Sequence, residues 1–222
     1  MFKKILIIED LDSIALGITA MLEKHILADI RTTKYCDEAY LKVRKAIYED
    51  APFDLIITDL SFKADHREAK LTGGEQLIKA LRKEQPKVKI IVYSVEERPY
   101  KIKSLFENDA INAYVVKGRE SNNELLEAIA AIHDDYSKYM SPQISHFSKY
   151  NILLEIDDHD IDLIRELSKG LTQEEISIQF KKEGKMASGI SSIEKRLNKL
   201  KIFFKANNAI HLVAIAKDLG LI

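Results

Sequence analysis

Along the first 135 or so residues, short apolar runs alternate with longer amphipathic stretches. Residues 3–8, 53–58, 89–94 and 111–116 read as strands, being rich in Ile, Val and Leu, and residues 28–33 as a weaker one. Between them, residues 11–24, 37–49, 74–85, 97–107 and 121–139 place apolar side chains at helical spacing. The third run, Leu55-Ile56-Ile57, has no polar position, which suits a strand covered on both faces. Strict alternation of strand and helix predicts an α/β unit with a parallel sheet and helices on both sides. Ser121 with Glu124 three residues on has the spacing of a capping box at the start of the fifth helix.

Ligands of open α/β sheets bind beyond the carboxyl ends of the strands. Those ends here are Glu9-Asp10, Asp59, Ser94 and Lys117. Two unit charges about 4 Å apart repel by roughly 4 kcal/mol at an effective dielectric of about 20. Three carboxylates at one rim therefore need compensation. Lys117 supplies one positive charge, and a hard divalent cation such as Mg²⁺ suits the remaining oxygens. A carboxylate so placed is suited to act as a nucleophile towards phosphorus. Taken singly, each residue has a plainer reading: a helix cap for Glu9 and Asp10, a turn for Asp59, a loop hydroxyl for Ser94, a surface charge for Lys117.

The pieces Ile7-Ile8-Glu9-Asp10, Ile56-Ile57-Thr58-Asp59, Tyr93-Ser94-Val95-Glu96 and Ala113-Tyr114-Val115-Val116-Lys117 together resemble a response-regulator receiver domain. The resemblance implies a flavodoxin-like, doubly wound parallel sheet of five strands in the order 2-1-3-4-5. It implies that Asp59 accepts a phosphoryl group from a sensor histidine kinase, and that Glu9, Asp10, Asp59 and the carbonyl of Ser61 hold Mg²⁺. Ser94 and Lys117 would contact the phosphoryl group, and Tyr114 would be the aromatic switch. One departure stands out. Residues 61–71, between Asp59 and Thr72-Gly73, form a loop about six residues longer than usual for such domains and lack proline. This insertion is expected either to gate access to Asp59 or to be a tolerated surface loop, since added loop length costs little.

The helical pattern fades near residue 139, and a linker is expected over 140–155. Residues 156–222 then read as a small all-α domain. Gly170 marks one helix end, and Thr172 with Glu175 has the capping-box spacing. In 190–204, Ile190, Ile193, Leu197, Leu200 and Phe204 form one face. Ser191, Ser192, Glu194, Lys195, Arg196, Asn198 and Lys199 occupy the rest. Leu167 to Ile176, Ser192 to Leu197, and Asn208 with Leu212-Val213 resemble the LuxR-type helix-turn-helix of NarL/FixJ regulators. That implies binding of double-stranded DNA, with Glu194, Lys195 and Asn198 as the recognition positions among those seven candidate contacts, and a homodimer, at least when phosphorylated. The turn before the helix at 190 is about six residues longer than the family's, and Glu194 stands where the family favours lysine.

Composition adjusts this picture only slightly. Residues 185–222 hold seven Lys/Arg against Glu194 and Asp218, as a polyanion-binding surface or a solvated helix face would. A single cysteine, Cys36, forms no internal disulfide and fits a reducing compartment. The apolar run at 5–8 ends at Glu9, too short for a signal sequence, and no stretch is long enough for a membrane span, so a cytoplasmic protein is expected. A metal-dependent phosphatase is the enzymatic rival. It is disfavoured because Ser61, not a second acid, stands two residues after Asp59. A helical domain that binds protein rather than DNA is the other alternative.

Overall fold

The computed structural model describes residues 2–63, 66, 68–133, 138–144 and 156–222. Two compact units are present: residues 1–97 with 102–145, and residues 98–101 with 146–222.

In the first unit the strands are β1 (Lys4–Ile8), β2 (Asp29–Thr33), β3 (Leu55–Thr58), β4 (Lys89–Ser94), β5 (Ala113–Val116) and β6 (Tyr139–Met140). The helices are α1 (Asp12–His25), α2 (Cys36–Tyr48), α3 (Gly74–Glu84), α4 (Pro99–Glu107, in this unit from residue 102 on) and α5 (Ser121–His133). The sheet is parallel, in the order β2-β1-β3-β4-β5-β6. Strand alternation sorts the side chains into two cores. Leu6, Ile8, Ile56, Ile90, Val92, Tyr114 and Val116 pack against α2, α3 and α4. Ile5, Ile7, Leu55, Ile57, Ile91, Tyr93, Ala113 and Val115 pack against α1 and α5. Each fully buried Ile or Leu contributes roughly 1.5–3 kcal/mol, so two such layers fix the register of the strand ends.

Two expectations need correcting. Five strands were expected and six are found among the described residues, and Tyr139, expected at the end of the fifth helix, lies in β6; the described part of α5 is Ser121–His133. The chain past α5 adds β6 to the edge of β5, with Tyr139 opposite Ala113 and Met140 opposite Tyr114. The fastening is a buried polar pair. Ser141 Oγ donates to Glu124 and accepts from the Val116 N–H at 2.9 Å. Glu124 is thus spent on Ser141 and not on a capping box, while Ser121 Oγ donates to the Gly118 carbonyl at 2.8 Å. Ile144 is buried in the first core, so part of the expected 140–155 linker belongs to this unit; residues 145–155 lie outside the described residues.

The second unit carries α6 (Asp158–Ser168), α7 (Gln173–Lys182), α8 (Ile190–Phe203) and α9 (Ala209–Asp218). Leu163, Ile164, Ile176, Phe180, Ile193, Leu197, Leu200 and Leu212 form its core. Thr172 and Glu175 make the expected capping box, and Asp157 with Asp160 makes another at the start of α6. Asn208 caps α9 by accepting from the His211 N–H at 2.8 Å. Ile190, expected on the inner face of α8, is 46% exposed because the buried stripe begins a turn later, at Ile193.

Candidate phosphoacceptor site and helical surface

The strand ends bring Glu9, Asp59 and Lys117 together on the side of the sheet covered by α1 and α5. Each continues the alternation of Ile5-Ile7, Leu55-Ile57 or Ala113-Val115. Lys117 Nζ lies 2.5 Å from Asp59 Oδ2 and 2.7 Å from Glu9 Oε2; both carboxylates are buried and the lysine is partly buried. Asp59 Oδ1 accepts from the N–H groups of Leu60 and Ser61 at 2.6 and 3.3 Å. Burial pushes the Glu9 carboxyl above its ordinary range, although Lys117 pulls it back. Burial also works against the Lys117 charge, but the hydrogen bonds to Asp59 and Glu9 outweigh it and raise its pKa.

Ser94 and Tyr114 arrive on the opposite side of the sheet, sharing the parity of Val92 and Val116. Ser94 is fully buried, and its Oγ forms no hydrogen bond with a described residue. The Tyr114 phenol is also buried and donates to the Glu96 carbonyl at 2.7 Å; burial raises its pKa well above the ordinary value. Gly74 seats α3 directly on the Asp59 turn, with its N–H donating to the Leu60 carbonyl at 3.0 Å.

Asp10 stands at the same rim, and one of its oxygens accepts from the Lys63 N–H at 3.0 Å. The inserted loop 61–71 is thereby tied to an acid of the site. Its far end is tied too: Asp37, in the first turn of α2, accepts from the N–H groups of Lys70 and Leu71 at 2.8 and 3.0 Å. Phe62 and Leu71 pack against the first core, and residues 64, 65 and 67 lie outside the described residues.

Three carboxylates face one ammonium at this rim, and Glu9 already resists ionisation. The donors are hard oxygens, so in chemical type they fit Mg²⁺. Among the described residues, however, no three acidic, His or Cys side chains converge closely enough to hold an ion as they stand. The fit is one of charge and donor type.

On α8, Ser191, Ser192, Glu194, Lys195, Asn198 and Lys199 are all exposed. Arg196 departs from the expected DNA-facing set. Its Nε and Nη2 donate to Asp160, with an Nη2–Oδ2 distance of 2.9 Å, and Nη2 also reaches Asp157. The capping acids of α6 thus claim this guanidinium, which periodicity placed on the flank. Asp160 is 1% exposed. Removing its charged partner leaves a buried carboxylate held only by a helix N-terminus. We expect Arg196→Ala to destabilise the helical unit by about 2–3 kcal/mol, read as a lower melting temperature for that unit. A melting curve like that of Lys195→Ala would refute this.

The family described as the response regulator receiver domain matches residues 5–130, and the chain belongs to it. Among solved structures, the RcsB response regulator of Salmonella typhimurium is similar with a TM-score of 0.72 at 20% identity, covering 97% of this chain and 99% of that one. RcsB from Salmonella enterica serovar Typhimurium, bound to promoter rprA in the presence of the phosphomimetic BeF3-, is similar with a TM-score of 0.64 at 20% identity, covering 98% and 99%. The isolated REC domain of the same protein matches at 22% identity and a TM-score of 0.52, covering 65% of this chain. No curated protein sequence matches the chain significantly. At these identities the structures establish a shared fold, extending over both units.

Proposed function

We propose that this chain is a phosphorylation-controlled transcriptional regulator. The carrying observation is Asp59, a buried carboxylate held by Lys117 Nζ on one oxygen and by two backbone N–H groups on the other. In the proposed reaction an Asp59 oxygen attacks the phosphorus of a kinase phosphohistidine. The new O–P bond forms as the N–P bond breaks, and its electron pair stays on the imidazole nitrogen. Glu9, Asp10, Asp59 and the Ser61 carbonyl would hold Mg²⁺, which when bound neutralises charge on the transferring group. Lys117 supplies the second positive charge from within the protein. Among the described residues the buried Ser94 Oγ makes no hydrogen bond within standard distance, and it would donate to a phosphoryl oxygen. Tyr114, behind it, would move when Ser94 turns.

The output is proposed to be dimerisation and binding of double-stranded DNA through the exposed face of α8. The RcsB complex with rprA, sharing the two-unit fold, supports that reading. Lys195 and Lys199 suit phosphates or guanine edges, Asn198 suits adenine, and Glu194 suits a cytosine amino group. Dimers would span half-sites about one turn of DNA apart.

One experiment tests both halves. With Mg²⁺ and acetyl phosphate, the protein is expected to gain one alkali-labile phosphoryl group at Asp59. Its affinity for selected genomic fragments is then expected to rise, and to fall steeply with salt. No mass increment removes the switch. An increment with no salt-dependent DNA binding favours a helical unit that binds protein.

A further inference from the structure

The residue after Lys117 is Gly118, so the turn that launches the lysine is built on the most permissive backbone available. The ammonium is nonetheless placed between two carboxylates, at 2.5 and 2.7 Å. Something must hold a long flexible stem and a loose turn in one arrangement.

Tyr93, at the end of β4, touches both. The Lys117 ammonium lies 5.5 Å from the centre of its ring. Its hydroxyl is 2.8 Å from Ser121 Oγ, and Ser121 Oγ donates to the Gly118 carbonyl at 2.8 Å. The Ser121 proton being used there, Tyr93 is the donor in the first bond. The chain of bonds runs from Tyr93 through Ser121 to the carbonyl of Gly118, the residue after Lys117, and the Lys117 N–H itself donates to the Ser94 carbonyl at 2.8 Å. Filling the core alone needs no hydroxyl; here a tyrosine 6% exposed spends its own on the turn that carries the lysine.

We propose that Tyr93 is the positioning residue for Lys117, with its ring steadying the ammonium and its hydroxyl fixing the β5–α5 turn through Ser121. This rests on the phosphoacceptor reading of Asp59. An ammonium fixed beforehand needs no reorganisation as charge arrives on the phosphoryl oxygens.

The test uses the full chain. Phosphorylation by acetyl phosphate with Mg²⁺ is timed, and the ¹⁵N resonance of the Lys117 ammonium is followed without phosphodonor. Tyr93→Phe keeps the ring and loses the tie; it is expected to slow phosphorylation about threefold and leave the resonance near its place. Tyr93→Leu loses both, and is expected to slow it about tenfold and to move or broaden the resonance. Ile129→Val, in the same core, controls for packing: it is expected to lower the melting temperature without moving the resonance. Tyr93→Leu with an unmoved resonance and a wild-type rate overturns the assignment. Should that variant fail to fold, Tyr93→Phe and Ser121→Ala decide, and wild-type rates in both overturn it. If the wild type takes no phosphoryl group, the phosphoacceptor reading fails, while the resonance still tests whether Tyr93 places the lysine.

Discussion

Replacing Lys117 by methionine is expected to destabilise the first unit by roughly 3–5 kcal/mol at neutral pH, a large part of the typical 5–15 kcal/mol for a folded domain. Methionine fills similar space, so the loss is electrostatic. Glu9 and Asp59 are both buried, and Lys117 is the cation that touches each of them. Without it, two buried carboxylates face each other with, among the described residues, backbone N–H groups as their support.

The pH dependence follows from Glu9. Burial already raises its folded pKa above the ordinary carboxyl value, and loss of Lys117 removes the opposing pull. The folded variant therefore holds a proton that the unfolded chain releases near pH 4.5. Stability is then highest below that unfolded value and is lost as pH rises through the raised folded one. The urea midpoint of Lys117→Met is expected to climb as pH is lowered from about 8 to about 5, and Mg²⁺ is expected to restore part of it at pH 7 by supplying charge at the same rim. A variant with the wild-type midpoint across that range would show that the rim needs no lysine.

Much of this site was legible because it depends on period-two alternation and on where apolar runs stop. Glu9, Asp59 and Lys117 each end such a run, and parity alone puts them on one side of the sheet. Ser94 and Tyr114 follow the other parity for the same reason. What was not legible depends on contacts between distant residues. Ser121 and Glu124 have capping-box spacing, yet Glu124 bonds Ser141, in a segment whose two-residue strand is too short to leave a periodic signal. Arg196 sits on the flank of an amphipathic helix, and only the approach of α6 decides that it faces Asp157 and Asp160 rather than solvent. The capping pair Asp157 and Asp160 was the one available hint, since two acids at a helix start invite a cation. The tie between Asp37 and the inserted loop carries no local signal at all.

The paired glycines before α3 show how sharply the fold separates residues that look alike in sequence. Gly74→Ala is expected to destabilise the first unit by about 3 kcal/mol or more, at or above the upper end for overpacking. A Cβ at Gly74 would stand 2.1 Å from the Asp59 carbonyl oxygen, 2.8 Å from Leu60 Cα and 3.0 Å from the Asp59 carbonyl carbon. All three are main-chain atoms, so no side-chain rotation relieves the clash, and the α3 start or the Asp59 turn must move. At Gly73 the nearest atom is the Leu60 carbonyl oxygen at 3.3 Å, and its φ of −164° is extended backbone open to any residue. Gly73→Ala is therefore expected to cost less than about 1 kcal/mol. Urea unfolding of the two variants side by side is the measurement. Because the strain at Gly74 falls on the turn that aims the Asp59 carboxylate, Gly74→Ala is also expected to react with acetyl phosphate at least about tenfold more slowly, a displacement of about 1 Å being enough for such a loss. Equal midpoints for the two variants would mean that α3 is not seated on that turn.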